Sequence, residues 1–145
     1  MSTATTAPST RARATATITV RHSEATPYDQ INGPTLAELR LTETLTGDIE
    51  GESPVRALQL LLDDKSAYQA SMQRVRGTLG SRRGTFVLQG AEIVRNGKIS
   101  ATWFVVPGSG TDELTGLRGE GGFTGEFGKG SEGTLEYWFE HDEDR

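Results

Sequence analysis

The chain has 145 residues, the usual size of a single domain with its own core, and a formal net charge of −5 with scattered basic residues. A chain with this charge lacks the clustered basic surface that is typical of nucleic-acid-binding proteins. The absence of cysteine excludes disulfides, thiolate nucleophiles and zinc–thiolate sites, and two histidines do not suggest a metal site, so we expect no metal and no cofactor.

The composition favours an all-β domain. Hydrophobic residues make up only 34% of the chain while 18 residues are glycine, which suits many short strands joined by tight turns. No apolar run approaches the length of a membrane span and the start lacks a secretory pattern, so we expect no membrane partner and a cytoplasmic location. Residues 1–12 and the acidic residues 141–145 are predicted to be disordered tails around one domain, 13–140.

Period-two alternation of apolar and polar residues predicts strands in chain order. The predicted strands are 14–20, 39–45, 55–62, a strand near 67–77, 86–94 and 99–106, followed by a last hairpin that turns at 129–130. A loop at 28–34 precedes the second strand, and a break at 47–51 precedes the third. The leucine cluster of 55–62 is also compatible with a short helix. About eight strands are enough to close an antiparallel barrel whose interior holds one small ligand.

The strongest local signal is Asn96-Gly97 between two apolar runs, because both positions of this two-residue turn need positive φ. The turn sets the pairing outward from Arg95 and Lys98. The predicted pairs that share one face are Val94 with Ile99, Glu92 with Ala101, Gly90 with Trp103, and Leu88 with Val105. This face is the more apolar one, so we assign it to the interior.

The preceding turn at 80–83 extends the interior face. It predicts the pairs Val75 with Leu88, Gln73 with Gly90, and Ser71 with Glu92. Trp103 can then lie over the bare backbone of Gly90. We therefore predict a pocket bounded by Gln73, Trp103 and Glu92, with Ser71 as a small neighbour and Glu92 as its acid or base.

The last hairpin is predicted to pair Thr124 with Leu135, Gly122 with Tyr137, and Glu120 with Phe139. Tyr137 and Trp103 would form an aromatic wall for a ligand, or would simply fill the core.

Three glutamates, Glu43, Glu92 and Glu120, fall on apolar faces by these patterns. A carboxylate in an apolar cavity has a raised pKa, which suits general acid or base catalysis. Alternatively, each lies in water at the barrel mouth or pairs with an arginine such as Arg74 or Arg118.

The segment 105–123, with its Gly-Ser-Gly-Thr and Leu-Arg-Gly-Glu-Gly runs, resembles a bacterial domain-of-unknown-function family with an allene oxide cyclase-like barrel. The resemblance extends over about 27–140, and other matching segments are 46–51, 74–80 and 84–89. The glycine-rich stretch is also similar to one in plant allene oxide cyclases and dirigent proteins. The resemblance implies the barrel but no particular activity.

Two positions depart from this family. Members often have glutamate where this chain has Gln73, and histidine where it has Gly90. If members use that pair, the resemblance implies that this chain has lost it or replaced it, and Glu92 is the candidate replacement.

The leading hypothesis is a barrel that promotes cofactor-independent cyclisation or isomerisation of an apolar, for example polyketide-like, substrate by confining it beside a proton-transferring glutamate. The alternatives are a non-catalytic protein that binds a hydrophobic metabolite, and a structural oligomer with a filled interior. The volume and lining of the interior discriminate between these hypotheses. The apolar outward residues Ile93, Phe104 and Val106 predict a homodimer or homotrimer through the 86–106 hairpin.

Overall fold

The computed structural model describes residues 10–126 and 129–140, which form eight antiparallel strands in a ring. The strands are β1 (Ala12–Asp29), β2 (Thr35–Gly47), β3 (Ile49–Asp63), β4 (Ser66–Leu79), β5 (Arg82–Arg95), β6 (Lys98–Val105), β7 (Leu117–Glu126) and β8 (Ser131–Phe139), with one 3-10 helix at Asp112–Leu114. Each strand pairs with the next, and β8 pairs with β1, so the ring is closed. Closure gives every strand a hydrogen-bonded neighbour on both sides.

Several element boundaries differ from the sequence expectations. The predicted loop at 28–34 is shorter, because β1 continues to Asp29. The break predicted at 47–51 is a tight turn around Gly47, and the fully buried Ile49 already begins β3. Residues 55–62 belong to that strand, which removes the helical alternative. Of the tail predicted at 1–12, residues 1–9 lie outside the described residues, and Ala12 already begins β1. The tail predicted at 141–145 also lies outside the described residues.

The register of the β5–β6 hairpin is the predicted one. Asn96 and Gly97 have φ of 54° and 79°, as the two-residue turn requires. The observed pairs are Leu88 with Val105, Gly90 with Trp103, Glu92 with Ala101, and Val94 with Ile99. Trp103 is 4% exposed, so the assignment of this face to the interior is confirmed.

The predicted β4–β5 register is wrong by two residues. The turn consists of Gly80 and Ser81 between the paired residues Leu79 and Arg82. Gly80 has φ of 61°, and glycine at the first central position is typical of a type II′ turn. The observed pairs are Val75 with Phe86, Gln73 with Leu88, Ser71 with Gly90, and Gln69 with Glu92. An even shift keeps every side chain on its predicted face but moves it by one row.

The predicted β7–β8 register is wrong by three residues, an odd number that reverses the faces. Gly125 pairs with Ser131, so the connection spans more than the predicted two-residue turn at 129–130. Glu120 consequently points outward, where its carboxylate lies 3.5 Å from the guanidinium of Arg11. The prediction that Glu120 occupies the apolar face is therefore wrong, and Tyr137 faces Gly119 rather than Gly122.

The apolar core fills one end of the ring. Consecutive strands are antiparallel neighbours, so the β2–β3, β4–β5 and β6–β7 connections share that end. Ile49, Leu79 and Phe86 are fully buried beside these connections, and Leu114 of the 3-10 helix is buried against the same cluster. The opposite end carries the other turns and is not filled in this way. Among the described residues, no helix has the length and apolar character needed to span a membrane.

Candidate functional site

A cavity of about 500 Å³ occupies the interior of the ring at the end away from the apolar core. Its apolar wall comes from five strands and consists of Ile18, Val20, Leu39, Leu41, Val55, Ala57, Ile99 and Phe123. The cavity reaches the surface beside Val20, which is 47% exposed, and Glu126. A volume of this size is typical of small-molecule pockets. A ring whose interior is wholly filled by side chains is therefore not what the structure shows.

Glu43 is the first of two carboxyl groups buried in this wall. It continues the inward phase of Leu39 and Leu41 on β2 and is 8% exposed. The Nε2 group of Gln73 donates to Glu43 Oε1 at 3.1 Å and to the Ser53 hydroxyl at 2.8 Å. Burial raises the pKa of Glu43 to about 7, although the Gln73 hydrogen bond opposes the shift and the charge of Glu92 adds to it. Glu43 can therefore hold or release a proton near neutral pH.

Glu92 is the second buried carboxyl group and is 4% exposed on β5. The Ser71 hydroxyl donates to its Oε2 at 2.5 Å, and Gln69 Nε2 donates to its Oε1 at 3.4 Å. Burial raises the pKa of Glu92, and these two hydrogen bonds oppose the rise. Donors that favour the ionised form make Glu92 the better candidate for the carboxylate of the pair.

A chain of side-chain amides leads away from Glu92 along the cavity wall. Gln69 Oε1 accepts a 2.7 Å hydrogen bond from Gln59 Nε2, while Gln69 itself donates to Glu92. Gln59 is 8% exposed and lines the cavity. Its Oε1 atom is buried and has no hydrogen-bond partner among the described residues. A buried acceptor without a donor is unfavourable, and a ligand that supplies one would relieve that cost.

The charged groups of the cavity all have the same sign. Its described lining contains Glu43, Glu92 and Glu126, but no lysine, arginine or histidine. Because the first two carboxyls interact, ionisation of one disfavours ionisation of the other. Within residues 10–126 and 129–140, no group of three acidic, histidine or cysteine side chains is placed to hold a metal ion.

The structure brings together four of the residues predicted for the site: Glu43, Glu92, Gln73 and Ser71 all line the cavity. Gly90 lies directly behind them. A Cβ at Gly90 would lie 2.6 Å from Glu92 Oε2 and 2.9 Å from the Ser71 hydroxyl. The carboxyl group of Glu92 therefore occupies the space that the sequence left open between Gln73 and Trp103.

The two predicted aromatic residues lie elsewhere in the interior. Trp103 does not line this cavity; its ring packs against Gly133 and Phe123, and its Nε1 donates to the Thr134 carbonyl at 2.9 Å. Tyr137 is half-buried, packs against the apolar core and makes an edge contact with Phe139. The prediction that Trp103 bounds the pocket is wrong because its ring turns toward the glycines of β7 and β8 rather than toward Gly90.

Three polar residues of the site were missed by the sequence reasoning, namely Ser53, Gln59 and Gln69. A usable signal existed, since Ser53, Val55, Ala57 and Gln59 alternate on one phase of β3. The unresolved choice between strand and helix for 55–62 concealed that phase. Gln69 shares the phase of Ser71 and Gln73 on β4, and the shifted register places it opposite Glu92.

Comparison with known proteins gives a family without an assigned activity. The family model described as "Protein of unknown function (DUF3224)" matches residues 14–141. A solved structure of a DUF3224 protein of unknown function from Shewanella oneidensis MR-1 is similar, with 28% sequence identity and a TM-score of 0.73, and the similarity covers 91% of this chain and 99% of that chain. No curated protein matches the chain.

Proposed function

The chain belongs to the DUF3224 family, whose description assigns no reaction, and we propose its function from the cavity: the protein binds a small, largely apolar molecule inside the ring and promotes its cofactor-independent isomerisation or cyclisation. The observation that carries the proposal is the pair of buried carboxyls, Glu43 and Glu92, in the wall of an otherwise mainly apolar cavity. We also take the ring to be a closed barrel of the allene oxide cyclase-like kind. Its eight antiparallel strands and the glycine-rich segment 108–122 support this reading.

The two carboxyls have different roles in this proposal. Glu92, which accepts two hydrogen bonds, is the base that removes a proton from a carbon next to a carbonyl group. Neutral Glu43 donates a hydrogen bond to the oxygen on which negative charge develops. Glu92 then returns its proton to a different carbon of the same molecule. The double bond moves, both glutamates end in their starting states, and no co-reactant is needed.

The apolar wall contributes by confinement. A flexible substrate enclosed by Leu39, Leu41 and Phe123 loses its extended conformers and is separated from bulk water. Water exclusion also maintains the raised pKa of both carboxyls, because burial is the main cause of each shift. The same wall suits cyclisation, in which two parts of one chain must be held together.

The test uses 3-cyclohexenone, whose conversion to the conjugated 2-cyclohexenone is a proton shift of this kind and is followed by proton NMR. The wild-type protein is expected to accelerate conversion over buffer, and Glu92→Gln is expected to lower the rate by about a hundredfold because it removes the base. Glu43→Gln retains an N–H donor and is expected to lose about tenfold. The exposed glutamate of β3, Glu52, provides the matched control, and Glu52→Gln should match wild type.

The pH profile provides a second test. The active form needs ionised Glu92 and neutral Glu43, so the rate should fall above about pH 7, where Glu43 ionises. Equal rates for wild type and Glu92→Gln at every pH would contradict a proton-transfer role for Glu92.

A second candidate function is non-catalytic binding of a hydrophobic metabolite, and the preponderance of apolar residues in the wall supports it. The two candidates differ in one measurement. Saturable binding of 3-cyclohexenone by isothermal titration calorimetry, without any acceleration of its isomerisation, would favour the binding protein over the enzyme.

A further inference from the structure

When Glu43 and Glu92 are ionised, the unused hydrogen-bonding capacity of the buried amide and carboxyl groups in the cavity consists of acceptors. Gln73 Nε2 is committed to Glu43 and Ser53, and Gln69 Nε2 donates to Glu92. By contrast, Gln59 Oε1 has no partner, and Glu43 Oε2 accepts no hydrogen bond from the described residues. A ligand that satisfies this wall must therefore bring donors.

The charge of the cavity also favours a ligand that carries hydrogen-bond donors, because it favours a cation. Its titratable lining groups are Glu43 on β2, Glu92 on β5 and Glu126 on β7, and the lining side chains of the other five strands do not titrate. No side-chain cation in the described lining offsets the carboxyls. A ligand cation would weaken the repulsion between Glu43 and Glu92 and favour their ionised forms. A ligand anion would add to that repulsion.

Gln59 gives an observation independent of the acidic pair. The residue is more than nine-tenths buried, lines the cavity, and stands at the end of the amide chain that leads to Glu92. Its Nε2 faces Gln69, which leaves Oε1 as the atom without a partner. An N–H group of a ligand would complete the network, whereas an ether or carbonyl oxygen would not.

We infer that the cavity takes organic amines in their ammonium form, with an apolar body against the wall of β1–β3 and the nitrogen directed toward Glu43, Glu92 and Gln59. This inference rests on the proposed function, because it names a ligand that regulates the same cavity. The isomerisation needs neutral Glu43 and a bound ammonium group favours ionised Glu43, so the amine is an inhibitor of the reaction and not its substrate. An ammonium group carries donors only and one positive charge, so it matches both the free acceptors and the sign of the site.

The test compares three ligands with the same body: cyclohexylmethylamine, cyclohexylmethanol and cyclohexanecarboxylate. Each is titrated into the full wild-type chain by calorimetry at pH 7.5. The amine is expected to bind at least about tenfold more tightly than the alcohol, as charge-assisted hydrogen bonds imply, and the carboxylate should bind most weakly. This series needs no variant and therefore does not depend on the folding of one.

Proton release gives a second readout. At pH 6.5 Glu43 is mostly neutral, and a bound ammonium group favours its ionisation, so amine binding should release protons. Titrations in two buffers of different ionisation enthalpy measure that release. Glu43→Gln should reduce it, and Gln59→Leu should reduce the preference for amine over carboxylate, while Glu52→Gln should change neither.

Several outcomes would overturn the inference. They are an alcohol that binds as tightly as the amine, a carboxylate that binds most tightly, and binding of none of the three. The proposed function fails by a different measurement, namely the absence of 3-cyclohexenone isomerisation. A protein that isomerises the ketone but shows no preference for the amine would refute the ligand class alone, and one that prefers the amine without isomerisation would refute the reaction alone.

Discussion

Replacing Glu43 by glutamine should change how the stability of the protein depends on pH. Glu43 has a pKa of about 7 in the folded chain, against 4.5 when it is free of the fold. Between these values the folded state keeps a proton that the unfolded state has lost, so the free energy of unfolding falls as pH rises. Below pH 4.5 both states are neutral and no cost arises. Above pH 7 the full cost is present.

The magnitude follows from the shift. Each pH unit between 4.5 and 7 removes about 1.4 kcal/mol, so ionisation of Glu43 costs the folded protein about 3 kcal/mol at pH 8. The residue is 8% exposed, so solvent screening does not reduce this value much. Glutamine cannot ionise but can still accept the hydrogen bond from Gln73. The stability difference between Glu43→Gln and wild type should therefore grow by about 2.5 kcal/mol in favour of the variant from pH 5 to pH 8.

The assay is reversible denaturation by urea, followed by tryptophan fluorescence at pH 5, 6, 7 and 8. Glu52→Gln removes an exposed carboxylate from the neighbouring strand and should follow the wild-type curve at a constant offset. If the curve for Glu43→Gln also runs parallel to wild type across this range, Glu43 is ionised in the folded protein throughout. The burial argument would then be refuted.

Three further predictions concern packing and assembly. Gly90→Ala should fold normally, as measured by circular dichroism, but should displace the carboxyl group of Glu92. The atoms that the new Cβ meets most closely are flexible side-chain ends, which can move. An unchanged carboxyl ¹³C titration of Glu92 would show that no displacement occurs. Trp103→Phe should lower the free energy of unfolding by about 1–2 kcal/mol, since it removes the indole N–H that donates to a carbonyl of β8, and urea denaturation would reveal any absence of this effect. We also propose that the exposed Ile93 and Phe104 form part of a homodimer or homotrimer interface. Sedimentation at micromolar concentration should then show an oligomer that Ile93→Lys dissociates, and a monomeric wild type would contradict this.

The sequence predicts the register of a strand pair correctly only where the connecting turn allows a single pairing. Asn96-Gly97 requires positive φ at two adjacent positions, which fixes every pair of β5 and β6. The segment 80–83 suggests a two- or four-residue loop, both of which predict the same pairing, and that pairing lies two residues away from the observed one. Because Gly80 at the first central position identifies the type II′ turn, that error was avoidable from the sequence.

The β7–β8 register could not be read in the same way. Four of the ten residues of β7 are glycine, and a residue without a side chain does not reveal which phase of a strand faces inward. Glu120 was therefore assigned to an apolar face that the strand does not present there. Trp103 instead pairs with Gly121 of β7, and its ring packs against Gly133 of β8, where its Nε1 reaches the Thr134 carbonyl.

The candidate acids show what local pattern reasoning can and cannot establish. A glutamate in an apolar phase is visible in the sequence, but its depth and its partners depend on curvature: Gln73, which binds Glu43, lies two strands away across β3. Both carboxyls are held by neutral donors, an arrangement that costs stability compared with apolar residues of similar volume. A protein that needed only a packed interior would gain from losing them. We therefore expect Glu43→Gln to be more stable than wild type above pH 7 and yet slower in isomerisation, an opposition that a purely structural acid would not produce.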